Sequence, residues 1–450
     1  MSISEREEGL VEHAAANKEA PEIPTLREVL WRLAPTYSTC FLCRLMRGLV
    51  MVSVPLHVLD MGGDAKQVGL LASLYGIGYA VANIPAGFLL PVIGAKYTLL
   101  LACGCFLLSA SICFFEDVRV LMASYFLLGL ANSVGMLAQQ TYISGVVHSE
   151  RRGFALSIMG SLARLALALG PSMGSLLQGK LGMRAVFSVQ LVCGGAAFMV
   201  AVGFLGKAAE TEAHEAHEAH EAHEAHEAHE AQSRKDVMTQ AKDAVQQDGG
   251  RLLRVLCLAC ALQCVRRGRE LFFPLSGRDA NLSDVLIGQV AALSFTVDML
   301  VSPLAGQLMD SCGRRCAGFV SLMLQSLGIT LLVFRTAVSI AASGALTGLG
   351  NGLSSGLLMT LGADLAPPGA GRGAFLAVYR LFFNSMEFIT PALLGVLTSW
   401  ASLHASELAT GAIGLLGGIW VLLCVPETWR LWSAFSLWCL CSLACPPPFN

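Results

Sequence analysis

Apolar residues in this chain come in long unbroken runs, without strand-like alternation and without a single helical stripe. The runs are about 20 residues long and are separated by short polar loops. They fall near 36–58, 67–92, 97–115, 120–146, 153–178 and 185–205, and again near 252–275, 285–308, 316–334, 337–361, 373–399 and 408–425. A helix of about 20 residues that is apolar on every side matches the thickness of a bilayer core. The pattern predicts twelve transmembrane helices in two sets of six. The organisation that follows is a tail at 1–33, a first bundle at 34–205, a link at 206–250, a second bundle at 251–428 and an apolar tail at 429–450. Within that tail Leu431 to Cys445 is short for a span.

Composition agrees with an all-α membrane protein. The 450 residues are 54% hydrophobic and 14% charged, and mean hydropathy is +0.61. Soluble domains carry about a quarter charged residues. A net charge of −2 gives no electrostatic reason to expect a nucleic-acid partner. The first 30 residues are polar, with Glu5, Arg6, Glu7 and Glu8, so a cleavable signal peptide is not expected at this end. Most of the 15 cysteines lie inside the apolar runs, including the C-x-x-C pairs Cys40/Cys43 and Cys257/Cys260, and read as small buried hydrophobes. The chain has no G-x-x-x-x-G-K-[ST], and no H-E-x-x-H falls within a span. No enzymatic activity and no cofactor are expected, and transport energy would come from a gradient. Cations occupy the short loops on both sides. The tails and link break the tie with Arg6, Lys18, Arg27, Lys207, Arg234, Lys235, Lys242 and Arg430, which places both termini and the link in the cytoplasm.

The link holds the most conspicuous repeat, in which His214, His217, His220, His223, His226 and His229 recur between Glu-Ala pairs. A period of three does not match the 3.6 of an α-helix, so the histidines would spiral around a rod. An expanded, partly helical linker is the expected reading. Weak chelation of a divalent ion, or protonation below about pH 6.5, is the alternative.

A second repeat spans the chain. Pro55-Leu56, Gly69, Gly87 and Gly94 return 219 residues later as Pro274-Leu275, Gly288, Gly306 and Gly313. The same shift carries Gly129 to Asn132 onto Gly348 to Asn351, and a shift of 220 carries Arg152-Gly153 and Pro171 onto Arg372-Gly373 and Pro391. Two homologous six-helix bundles are expected, with a substrate site between them near the midplane. Gly306-Gln-Leu-Met-Asp310-Ser-Cys-Gly313-Arg314-Arg315 resembles the loop motif G-x-L-x-D-R-x-G-R-R of the major facilitator superfamily. The first-half counterpart, Gly87 to Lys96, keeps the glycines but has Pro91 in place of the aspartate. The resemblance covers 30–430 and implies the major facilitator fold, in which this loop is a cytoplasmic gate. Gly170-Pro171-Ser-Met-Gly174 resembles the antiporter motif G-P-x-x-G-G, and Gly348 to Asp364, with Gly362 to Pro367, resembles the drug:proton antiporter branch.

Charges inside the spans are costly and need partners or a wet cavity. The cations are Arg44, Arg47, Arg164, Arg266, Arg267, Arg269 and Arg380, against Glu270, Asp298 and Glu387. The third, sixth, ninth and twelfth spans carry none, and the resemblance places those four outside the central cavity. Arg44 and Arg47 share a helix face, Arg266 sits at the repeat position of Arg47, and Arg269 follows it. Two arginine pairs would then face each other across the pseudo-twofold. Substrate-binding candidates are Arg44, Arg47, Asn132, Arg164, Arg266, Arg269, Asn351 and Arg380. Internal pairing, as Arg266–Glu270 and Arg380–Glu387, is the competing role for the charges, and helix packing is the competing role for the asparagines. Asp298, then Glu387 and Glu270, are the proton-coupling candidates. The expected function is secondary transport of a small organic solute, coupled to protons. An organic-anion or sugar-phosphate carrier is the alternative, and the altered first-half loop also leaves open a non-transporting receptor. A metal carrier rests on the histidine repeat alone.

Overall fold

The computed structural model describes residues 26–115, 117–147, 149–206, 249–366 and 371–425. The histidine repeat and the tails lie outside them. The helices are α1 (Leu26–Asp60), α2 (Ala65–Ile112), α3 (Val118–Val146), α4 (Ser149–Leu181), α5 (Met183–Gly206), α6 (Gly249–Asp279), α7 (Asp284–Ser311), α8 (Gly313–Leu331), α9 (Ala337–Leu353), α10 (Leu357–Leu365), α11 (Gly371–Trp400) and α12 (Leu403–Cys424). α2 holds the second and third expected spans, parted at Gly94, where φ is 78°. α9 and α10 are two halves of the tenth. Twelve membrane-spanning segments result, six in each bundle. Nine of them are long and apolar enough to cross a bilayer by composition alone, among the described residues.

The backbone repeats as the sequence does. Asp64 caps α2 by accepting from Gln67 N at 2.8 Å, and Ser283, 219 residues on, caps α7 by accepting from Leu286 N at 3.3 Å. Asp117 caps α3 and Thr336 caps α9 at the same displacement. The left-handed residues Gly62 and Asn281 match, as do Gly94 and Gly313. Short 3-10 turns at Cys113–Phe115 and Leu332–Phe334 match as well. Each side-chain cap contributes about 1 kcal/mol by satisfying amides that the helix leaves open.

Packing follows the same symmetry: α1 packs on α4 and α5 as α6 packs on α11 and α12, and α2 packs on α3 as α7 packs on α9. Lipid tails are as apolar as leucine, so close approach at small residues holds such helices together. A Cβ on Gly48 would fall 2.9 Å from Gly170 Cα, and one on Gly174 would fall 2.0 Å from Leu49 O. The expected antiporter motif thus lies against α1. Leu49, Phe106, Phe187 and Phe272 fill the interior, while Val92, Val192, Trp400 and Leu423 face outward.

The bundles meet along two seams, α4 with α7 and α2 with α11. At one, Gly288 lies against Ser175 and Pro171 O; at the other, Gly69 lies against Gly395 and Pro391 O. Both are in the half of the molecule near loops 61–64 and 280–283. Arg278 adds ion pairs there to Asp60 at 2.7 Å and to Asp284 at 3.1 Å, and Gln178 of the first bundle donates to Asp284 at 3.2 Å. Toward the other end, Gly87, Gly153, Gly160 and Gly306 have no atom within 4 Å of a Cβ position.

One expectation about charge is corrected. The twelfth span carries Glu407, which is 0% exposed. It accepts from Arg335 Nη1 at 2.7 Å and from the Ser276 hydroxyl. The pattern placed the start of that span at 408, one residue too late to include it.

Candidate functional site

Between the bundles at mid-height is a cavity of about 390 Å³. Its polar lining comes from α1 (Arg47), α4 (Arg164), α6 (Gln263, Arg266, Arg267, Arg269, Glu270), α7 (Asp298), α9 (Asn351), the break after it (Ser354, Ser355) and α11 (Asn384, Glu387). α6 supplies five of these groups within eight residues, and each of the other helices supplies one or two.

One set of charges forms a closed network. Arg267 Nη1 lies 3.2 Å from Glu270 Oε1, and its Nη2 pairs with Glu387. Arg47 Nη2 lies 3.6 Å from Glu270, and its guanidinium lies over the Tyr75 ring at 4.4 Å. The network joins α1 and α2 of the first bundle to α6 and α11 of the second. Behind it is an enclosed chamber of about 50 Å³, walled by Val50, Val68, Leu71, Tyr125 and Leu128. The expected pairs Arg266–Glu270 and Arg380–Glu387 do not form; Arg267 takes both carboxylates.

The second set has neutral partners. Arg266 Nη2 donates to Ser354 O at 3.1 Å and to Ser354 Oγ at 2.7 Å. Arg164 crosses the seam to the hydroxyls of Ser302 and Ser355. Arg269, 3% exposed, donates to Ser294 Oγ at 3.2 Å and lies 4.7 Å from the Phe295 ring centre. Asn351 Nδ2 donates to Asp298 Oδ2 at 2.5 Å. Five lining arginines, Arg47, Arg164, Arg266, Arg267 and Arg269, therefore stand against three lining carboxylates, Glu270, Asp298 and Glu387.

Three candidates fall elsewhere. Arg44 turns from the cavity and donates to Asn132 Oδ1 at 2.5 Å, and Asn132 donates in turn to the Tyr75 hydroxyl at 2.7 Å. That arrangement joins α1, α2 and α3 within one bundle and gives Asn132 the packing role. Arg380 is exposed and does not line the cavity. The four arginines expected to face each other thus reduce to Arg47, Arg266 and Arg269. Sequence reasoning missed Arg267 as a site residue, and it also missed the serines. A serine in an apolar run carries no signal, since its hydroxyl bonds a carbonyl on its own helix.

The loop motif is ordered in the second bundle. Gly313 adopts φ 88°, Arg314 lies 3.6 Å from Asp310 and 3.3 Å from Asp364, and Arg315 reaches Leu422 O. In the first bundle Pro91, Ala95 and Gly145 stand where Asp310, Arg314 and Asp364 stand in the second. Lys96 lies instead 5.9 Å from the Tyr142 ring centre.

Comparisons with known proteins fit this architecture. Among solved structures, the nucleoside transporter NupG superposes with a TM-score of 0.67 at 10% identity, over 87% of this chain and 98% of that one. The peptide transporter POT in complex with sulfate gives 0.66 at 14%, over 87% and 93%. Among curated proteins, the probable galactarate/D-glucarate transporter GudP of Bacillus subtilis (strain 168) is 28% identical over 163 residues, 34% of this chain and 35% of that protein. Probable anion transporter 6 of Oryza sativa subsp. japonica is 26% identical over 157 residues, 34% and 36%. The uncharacterized MFS-type transporter MJ1560 of Methanocaldococcus jannaschii is 23% identical over 154 residues, 33% and 39%. The chain thus aligns with little more than a third of each curated relative. The model described as "Major Facilitator Superfamily" matches residues 36–267 and 255–433, two overlapping stretches that together cover both bundles. With the repeat present in both sequence and backbone, the chain belongs to the Major Facilitator Superfamily.

Proposed function

We propose that this protein is a secondary transporter that carries a small organic anion by alternating access, driven by a proton gradient. The observation that carries the reading is the cavity at the seam, with five guanidinium groups against three carboxylates. A surplus of fixed cations in a site shielded from bulk water attracts an anion and rejects a cation. Guanidinium also matches carboxylate and phosphate oxygens in pairs. Similarity over a third of the chain to a probable anion transporter and a probable galactarate/D-glucarate transporter points the same way. The lysines and arginines of the tails and link, added to short loops that are otherwise tied, support a cytoplasmic location for both ends.

Proton coupling needs a carboxylate whose protonation changes a contact between the two bundles. Asp298 bonds Asn351 within its own bundle, so its neutralisation would leave the seam as it is. Glu270 holds Arg47 across the seam, and Glu387 shares Arg267 with it. Those two carboxylates are the proton sites we favour. Exchange of protons for the substrate is the mode that the antiporter resemblance implies.

The test is uptake by the full chain in proteoliposomes, across a panel of carboxylates, phosphate esters, sugars and amines, with and without a pH gradient. Anion flux responding to the gradient is expected, and Glu270→Gln should remove that response. Flux of neutral or cationic solutes alone would overturn the anion assignment. Absence of flux across the panel would favour a receptor on the same fold.

A further inference from the structure

The tenth span is broken inside the cavity, and the break carries no charge of its own. α9 ends at Leu353, Gly356 adopts φ 82°, and α10 begins at Leu357 with no side chain capping its amides. Two guanidinium groups converge on the three residues between them: Arg266 holds Ser354 from within the bundle, and Arg164 holds Ser355 from across the seam. Among the described residues, no carboxylate is hydrogen-bonded to either or paired with it within 4 Å; the contacts are two serine hydroxyls for Arg164, and a hydroxyl and a carbonyl of Ser354 for Arg266. Arg266 Nε is buried with no hydrogen-bond partner, as is Nε of the nearby Arg269, which is 3% exposed. A carboxylate or phosphate offers a guanidinium an opposite charge and two parallel acceptor oxygens, which a hydroxyl does not. Leu167, Phe295, Met359 and Phe383 line the same cavity beside the break. A left-handed break between two half-helices, two cations held by neutral acceptors and an apolar wall together describe a receptor for a charged head on an apolar body.

We infer that the break Ser354–Gly356, with Arg164 and Arg266, is the subsite that grips the anionic head of the substrate, a carboxylate or phosphate monoester on a small apolar or aromatic body. The inference rests on the anion-carrier reading and adds the location and the chemistry. The incoming anion takes the two guanidinium groups from the serines. Because Arg164 belongs to the first bundle and the break to the second, the anion bridges the seam where hydroxyls bridge it now.

Calorimetric titration of the full chain in nanodiscs tests this, with benzoate and phenyl phosphate as probes and benzyl alcohol as the neutral control. Saturable binding of at least one anionic probe and none of the alcohol is expected. Arg164→Gln and Arg266→Gln should each raise Kd at least tenfold, and Arg380→Gln, outside the cavity, should leave it unchanged. Arg266→Lys should recover part of the loss if charge and fork geometry both contribute, and it shows whether the glutamine variant failed by misfolding. Binding that survives the double variant Arg164→Gln/Arg266→Gln and is lost in Arg47→Gln would overturn the subsite and leave the anion carrier standing. Failure of the wild type to bind either probe, with uptake of neutral or cationic solutes, would overturn both.

Discussion

Arg266 and Arg267 are adjacent in sequence and point to different neighbours, because successive residues on a helix stand about 100° apart. Arg266 turns to the break after α9, and Arg267 turns to Glu270 and Glu387. Removing one partner of a buried pair leaves an uncompensated charge, at a cost of about 3–5 kcal/mol. Arg267→Gln should therefore lower the thermal unfolding midpoint in detergent sharply, and adding Glu387→Gln, which removes the other carboxylate of that pair while Glu270 keeps Arg47, should restore part of it. Failure of the double variant to recover would show that Arg267 acts through packing and not through charge. The charges themselves were legible in the sequence, since an arginine in an apolar run has few bland explanations. Their partners were not. Spacing of four suggested Arg266–Glu270, whereas the pair that forms is at spacing three, because the rotation of α6 is set by helices that the local sequence does not mention. Arg380 shows the same limit: its helix enters the seam, but its own position is exposed.

At the scale of the element, the break between α9 and α10 has a one-residue explanation. The first-bundle counterparts of Ser354, Ser355 and Gly356 are Gly135, Met136 and Leu137, and α3 runs through them unbroken. A leucine strongly resists the left-handed region that glycine enters freely. Gly356→Leu should straighten the tenth span and draw Ser354 and Ser355 away from the arginines. The readout is the titration with phenyl phosphate, where a large rise in Kd without loss of folded protein is expected; unchanged affinity would make the break incidental. Span positions were legible to within several residues at most ends, because hydrophobicity fixes length. The break was not legible, because serines, threonines and glycines recur along the whole of the tenth run and Ser-Ser-Gly does not stand out among them. In α4, Gly174→Ala places a Cβ 2.0 Å from Leu49 O and should destabilise the first bundle by about 1–3 kcal/mol. Gly160→Ala, with open space around it, should be neutral in the same thermal assay.

Across the whole molecule, the bundles are alike in backbone and unlike in charge. Of the cavity arginines, only Arg47 and Arg266 occupy equivalent positions; Gly48, Val50 and Met51 stand where Arg267, Arg269 and Glu270 stand in the second bundle. The pseudo-twofold was legible from glycines and prolines, which serve the fold common to both halves. The site was only partly legible, because its residues are those in which the halves have diverged. The seams are tight near loops 61–64 and 280–283, so bulk introduced there should force them apart. Gly69→Val and Gly288→Val are each expected to lengthen the distance between spin labels placed at 62 and 281; distances unchanged in both variants would show that these contacts do not hold that end shut. The buried carboxylate of Glu407 has a consequence of another kind, in the order of synthesis. Arg335 and Ser276 leave the ribosome well before Glu407, which belongs to α12. Until α12 enters, the second bundle holds a guanidinium without its innermost counter-ion. A nascent chain stalled before residue 403 would lack that buried carboxylate, so α12 supplies late in synthesis a counter-ion that the earlier helices of its bundle already need.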